Sequence, residues 1–174
     1  MLIEAAESAA CGRMAHMADQ AQLHIVVGLP GSGKTTLARM LAARHEAVRF
    51  NPDEWMIDLH VDLFDEPFRY RLEQRMITLA AEILSLKGRV IIEFGSWSLR
   101  ERDQLLAVGR AALAHVELHV LEPDVEELWR RLSKRNDLPG ETRIDRRTLD
   151  DSLASWESPD ESELNQYDAH HRDV

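Results

Sequence analysis

Residues 28–36 read Gly-Leu-Pro-Gly-Ser-Gly-Lys-Thr-Thr and carry the clearest chemical signal in the chain. Gly28, four residues, Gly33, Lys34 and Thr35 have the P-loop spacing. Glycines let successive backbone N–H groups turn inward around a phosphate with no side chain in the way. A helix opening near Lys34 adds the positive end of its dipole. Lys34 has the reach for the β- and γ-phosphates of a nucleotide, and the Thr35 hydroxyl can ligate Mg²⁺. Pro30, Gly31, Ser32 and Thr36 complete the expected cradle. The ligands that this pattern predicts are ATP and Mg²⁺.

Other reactive groups fall at the ends of expected elements. Asp53 follows a short strand, in the region outside the carboxyl ends of a parallel sheet where ligands bind. It suits either work on an alcohol proton or the N-cap of a helix starting at Glu54. Glu93 ends an apolar run, the place either of a Mg²⁺-holding carboxylate or of a strand-end acid with no ligand. Arg131 and Arg135, four apart, share one helix face. Their guanidinium forks suit transferring phosphoryl oxygens, or pairing with Glu126 and Glu127. Arg130 has the spacing of a surface pair with Glu126. Arg100 and Arg102 open a helix on the expected substrate side. Trp55 and Trp97 flank the two acidic loops and either stack on a planar substrate or pack in the core. The eight histidines show no metal-ligand spacing, and no nucleophilic triad is visible.

The elements that position these groups follow from periodicity. Residues 23–27, 47–50, 89–94 and 116–121 read as strands. Helical spacing covers 34–45, 66–87 and 146–156. A capping-box pattern at Ser98 and Glu101 opens a helix to about 114, and Pro123 opens another. Asn51-Pro52-Asp53 and Asp137-Leu138-Pro139-Gly140 read as turns. Strands alternating with helices predict an α/β domain with a parallel sheet. Residues 161–174 have little apolar content and show no obvious fifth strand, so a sheet of four or five strands is expected. The domain is expected over 23–160, with an extension at 1–22 and an acidic tail at 161–174.

The formal net charge is −10 over 174 residues. Residues 150–174 hold eight acids and one base, whereas 130–147 hold seven bases and three acids. The acidic balance disfavours long nucleic acid as a partner, and the basic island suits an anion. No run of about 18 apolar residues spans a membrane. A lone Cys11 makes neither an internal disulfide nor a cysteine-based zinc cluster. Residues 1–22 show no basic start followed by an apolar core, which argues against a secretory leader and for a cytoplasmic location. There is no guanine-reading Asn-Lys-x-Asp, which argues against a GTPase.

GLPGSGKTT (28–36), FNPDEW (50–55), VIIEFGSWSLRERD (90–103) and ELWRRLSKRN (127–136), in this order, resemble the small ATP-binding P-loop kinases, an AAA-like ATPase group. That group is similar to the kinase domain of polynucleotide kinases and, more distantly, to zeta toxins and antibiotic phosphotransferases. The resemblance covers about residues 23–160 and implies a three-layer P-loop fold with strand order 2-3-1-4, a fifth strand remaining open, and a short basic lid. It implies that Lys34, Asp53, Arg131 and Arg135 are catalytic, with Asp53 accepting the proton of the attacking hydroxyl and the two arginines closing from the lid. Thr35 and Glu93 would hold Mg²⁺. The expected activity is transfer of the ATP γ-phosphate to a hydroxyl of a small molecule or nucleotide. A 5′-hydroxyl polynucleotide kinase and a nucleotide-binding regulator with little turnover are the alternatives. Polynucleotide kinases carry an arginine three residues after the matching Asp, where this chain has Met56.

Overall fold

Gln22–Gly28 form strand β1, buried along its whole length, which is why residues 23–27 read as an apolar run broken only by His24. In the computed structural model, which describes residues 20–138 and 142–173, β1 is the centre of a parallel sheet. Its order is β2-β3-β1-β4-β5, with β2 at Val48–Phe50, β3 at Arg89–Gly95, β4 at His115–Leu121 and β5 at Ala169–Asp173. Cys11, and all but the end of the expected N-terminal extension, lie outside the described residues. So do Pro139 and Gly140 of the expected turn.

The pleat divides the sheet into two faces. Leu23, Ile25 and Val27 of β1, Val90 and Ile92 of β3, and Val116, Leu118 and Val120 of β4 share one core cluster. Helices α3 (Glu66–Ser85) and α4 (Leu99–Ala111) cover that face through Met76, Ala80, Leu84, Leu105 and Leu106. On the other face α1 (Lys34–His45) packs Ala38 and Leu41 on Val26 and Ile91. Between β2 and α3 stands the short helix α2 (Pro52–Asp58). At the carboxyl end of the sheet, α5 (Val125–Asn136) and α6 (Arg146–Ser155) join Leu29, Leu128, Leu132 and Leu149 into a third cluster. The result is the expected three-layer α/β fold. No described helix is long and apolar enough to cross a membrane.

The carboxyl end of the chain departs from expectation. Residues 161–173 are not a solvated tail. Glu161–Leu164 form α7, and residues 169–173 pair with β4 as the fifth strand. An edge strand bonds through its backbone and exposes its side chains, so Ala-His-His-Arg-Asp gave no apolar signal. The acids of this stretch serve as caps and ion partners. Asp160 caps α7, and the Asp168 carboxylate accepts from Val116 N at 2.7 Å and from Arg110 Nη1 at 2.6 Å. Glu157 accepts from Leu99 N at 2.7 Å.

Arg102 is also not on the substrate side. It is 1% exposed and shares the buried stripe of α4 with Leu105, Leu106 and Gly109. Its Nε and Nη2 donate to the two carboxylate oxygens of Glu163 at 2.6 and 2.9 Å, and its Nη1 donates to the carbonyls of Ser96 and Trp97. The fork thereby ties α4, the loop after β3 and α7 together. Truncating one member of a buried pair strands the other charge. Glu163→Ala should lower the unfolding free energy by about 3–5 kcal/mol in urea titration, and Glu163→Gln, which keeps an acceptor, by less.

Candidate active site

Backbone geometry prepares the loop at residues 28–36 before any side chain acts. Gly28 has φ +149°, and a Cβ there would sit 2.4 Å from the Leu121 carbonyl oxygen of β4. At Gly31, with φ +82°, a Cβ would meet the Leu132 side chain of α5 at 2.8 Å. Only glycine permits both the turn and the close approach of β4 and α5. Helices α2 to α7 each have a side-chain N-cap, whereas α1 begins at Gly33 with no side-chain cap. Its leading N–H groups therefore remain for an anion. The Ser32 hydroxyl is buried among them without a hydrogen-bond partner. These features fit a polyphosphate.

Three cations attend the loop. Lys34 Nζ donates to the Leu29 carbonyl at 2.9 Å. Burial pushes the Lys34 ammonium down to about 8, with Glu93 and Asp53 opposing the shift and Arg135 adding to it. It still carries its proton at neutral pH. Arg131 Nη1 donates to the Ser32 carbonyl at 3.1 Å, and its Nε donates to Glu127 at 2.6 Å. So Arg131 reaches the loop and also makes the surface pair read as its alternative. Arg130 bonds Glu127 rather than Glu126. Hydrogen bonds from Arg130 and Arg131 pull the Glu127 carboxyl down to about 2. Pro30 is half-buried and Thr36 exposed.

On the sheet side, the Thr35 hydroxyl donates to Glu93 Oε1. The pleat explains the meeting: Glu93, two residues before the end of β3, is on the same face as Ile91, the face that α1 covers. An alcohol and a carboxylate oxygen are the hard donors that Mg²⁺ takes. Glu93 Oε2 accepts from Arg49 Nη1 at 2.7 Å, Arg49 also bonds Glu54, and Glu54 accepts from Arg39 at 2.7 Å. Burial alone would raise the Glu54 carboxyl, but the two arginines hold it below its usual range. Arg49, which the sequence reading missed, alternates with buried Phe50 on a three-residue strand too short to reveal a face.

Asp53 is not an N-cap: Asn51 caps α2, accepting from Glu54 N at 2.9 Å. The Asp53 side chain is 57% exposed, feels the Lys34 charge, and accepts a hydrogen bond from Arg69 of α3. Arg69 stands 3.7 Å from Glu73 on the same helix. Glu73, with Gln74, Phe94, Ser96 and Gln104, lines a cavity of about 100 Å³, whose lining does not include Asp53 or Arg69. Burial pushes the Glu73 carboxyl up to about 7, Arg69 opposing and Glu101 adding. Met56 is fully buried. Trp97 Nε1 donates to the Gly28 carbonyl at 3.2 Å, so Trp97 braces the loop, while Trp55 is 40% exposed.

The AAA domain family matches residues 23–159. Kti12 from Chaetomium thermophilum, solved in complex with ADP-AlF3, is similar in structure with a TM-score of 0.69 at 20% identity, over 87% of this chain and 88% of that one. A sugar kinase from a Janibacter species gives 0.62 at 20% identity, over 87% and 84%. A chain of the Pnkp1/Rnl/Hen1 complex gives 0.58 at 27% identity, over 74% of this chain and 43% of that one. No curated protein sequence matches. The shared element among these structures is the P-loop sheet with its flanking helices.

Two titrations test the site. A lysine whose folded pKa is lowered opposes folding in full below that pKa and is relieved as pH rises to the unfolded value. Lys34→Met should therefore stabilise the nucleotide-free protein by about 1–3 kcal/mol at pH 7, with the gain shrinking between about pH 8 and 10.5, and should abolish the melting shift produced by ADP. A carboxyl whose folded pKa is raised favours folding below its unfolded pKa, and that contribution is lost as pH rises through the folded value. Glu73→Gln should match wild type below about pH 4.5 and exceed it by about 1–3 kcal/mol at pH 8 in denaturant titrations.

Proposed function

The chain belongs to the AAA domain family, and from that premise we propose that it is an ATP-dependent phosphotransferase acting on a hydroxyl of a small molecule or nucleotide. The observation that carries the reading is the meeting, around one uncapped helix N-terminus, of Lys34, the Thr35–Glu93 pair and Arg131, with Asp53 near enough to act on Lys34. The backbone N–H groups of 31–35 and Lys34 bind the β- and γ-phosphates. Thr35 and Glu93 would hold Mg²⁺, which supplies charge neutralisation on the phosphates when bound. Arg131 and Arg135 neutralise charge developing on the transferring group. Asp53 orients the acceptor hydroxyl and takes its proton as the acceptor oxygen bonds to the γ-phosphorus and the bond to the ADP oxygen breaks. Arg69 holds the Asp53 carboxylate in place for that step.

The cavity that Glu73 lines, next to Arg69 on α3, supports a polyhydroxyl acceptor. Glu73, Gln74, Ser96 and Gln104 offer both donors and acceptors, and Phe94 offers an apolar wall. The buried Met56 leaves no cation at the position where polynucleotide kinases place one, which disfavours a 5′-hydroxyl nucleic-acid acceptor.

A panel of sugars, polyols, nucleosides and an oligonucleotide, assayed for ATP-dependent phosphorylation, tests the proposal. Asp53→Asn should reduce turnover about 10²–10⁴-fold while ADP affinity stays within a few-fold of wild type. If no acceptor takes phosphate faster than a Lys34→Ala control, the protein is not a kinase, and ADP binding without transfer would leave the regulator.

A further inference from the structure

Away from the loop, five of the eight histidines gather around one carboxylate. Parallel register puts His24 of β1 beside Glu117 of β4, and His119 of β4 beside His171 of β5. All four side chains project from the sheet face that α1 partly covers. The His45 ring, at the end of α1, lies 4.4 Å from the His24 ring. His24 is 1% and His119 6% exposed.

Three ligand atoms converge there. His24 Nδ1 lies 3.1 Å from His119 Nε2, and Glu117 Oε2 lies 3.6 Å from the first and 3.8 Å from the second. The circle through three points so separated has a radius of about 2.0 Å, the length of a zinc–nitrogen or zinc–oxygen bond. One proton at most fits between the two ring nitrogens. The carboxylate oxygen thus faces at least one lone pair in a buried space, an arrangement that a cation relieves. Neutral imidazole is the ligating form of histidine. Outside the triangle, His171 Nε2 and His115 Nε2 each stand 3.2 Å from a Glu117 oxygen. Such outer partners fix the orientation of a ligating carboxylate.

We propose that His24, Glu117 and His119 form a second metal site, distinct from the Thr35–Glu93 pair, which binds one divalent transition ion of the zinc class. Two imidazoles and a carboxylate suit zinc rather than Mg²⁺ or Ca²⁺, which prefer oxygen alone. His24 precedes Gly28 by four residues, about 13 Å along the strand. The ion therefore clips β1 to β4 behind the phosphate loop rather than entering it.

EDTA-treated full-length protein titrated with Zn²⁺ in a calorimeter should bind one ion per chain with a dissociation constant of about 10 μM or tighter, and Zn²⁺ should raise its melting temperature. Glu117→Gln and His119→Gln should each weaken binding at least tenfold with the far-ultraviolet spectrum unchanged. Thr35→Ala should keep the affinity, which separates this site from the loop. Co²⁺ in place of Zn²⁺ should give visible absorption that Glu117→Gln removes, a readout independent of stability. Binding weaker than about 100 μM would overturn the proposal. So would equal binding by Glu117→Gln and His119→Gln, or loss of binding in Thr35→Ala.

Discussion

The N-terminus of α1 gathers unshielded N–H groups, the Lys34 ammonium and the Arg131 guanidinium into one partly buried space, and like charges held together out of water repel. The surrounding structure is arranged to tolerate this. Leu29 and Ser32 turn carbonyls toward Lys34 and Arg131. Glu93 enters from β3, and Glu127 anchors Arg131 from below on its own helix. The counter-groups come from the loop, β3 and α5, so sheet order, the packing of α5 on Gly31 and the brace from Trp97 are all needed to hold the balance. The loop is pre-organised for anions because its positive charge is offset but not cancelled.

Local chemistry made much of the fold legible. Apolar runs marked β1, β3 and β4, and Ser98 with Glu101 forms the expected capping box that opens α4. What escaped was stabilised by backbone rather than side chains. Strand β5 has four exposed residues out of five and pairs on one edge only. Helix α2 is two turns long and starts inside an Asn-Pro-Asp that also describes a turn. The acids of 157–168 looked like a solvated surface because their partners, such as Arg102, Arg110 and Val116 N, lie about 50 to 60 residues away.

Residues of the phosphate loop were legible because the motif is contiguous. Asp53, Glu93, Arg131 and Arg135 were named from their places at element ends and on one helix face, but the partners of Asp53 and Glu93 were not, because they meet only in the folded chain. Arg69 lies 16 residues from Asp53, and Arg49 lies 44 from Glu93. Arg102 carried a readable clue: its spacing to 105, 106 and 109 is that of a buried helix stripe, and a charge there implies a partner within the core. His115, Glu117 and His119 alternate, so strand geometry alone places them on one face, yet His24 joins them only through the pairing of β1 with β4.

The Arg102–Glu163 fork also orders events during synthesis. Strands β1 to β4 and helix α4 emerge from the ribosome before residue 163 does, so the sheet can align while the Arg102 guanidinium still lacks its carboxylate. Closing α4 over the sheet at that stage would bury an uncompensated charge. Docking of α4 is thus coupled to arrival of α7, and with it to β5 sealing the free edge of β4. A nascent chain halted near residue 160 keeps that edge and the apolar stripe of α4 exposed together, the form in which chaperones meet unfinished domains.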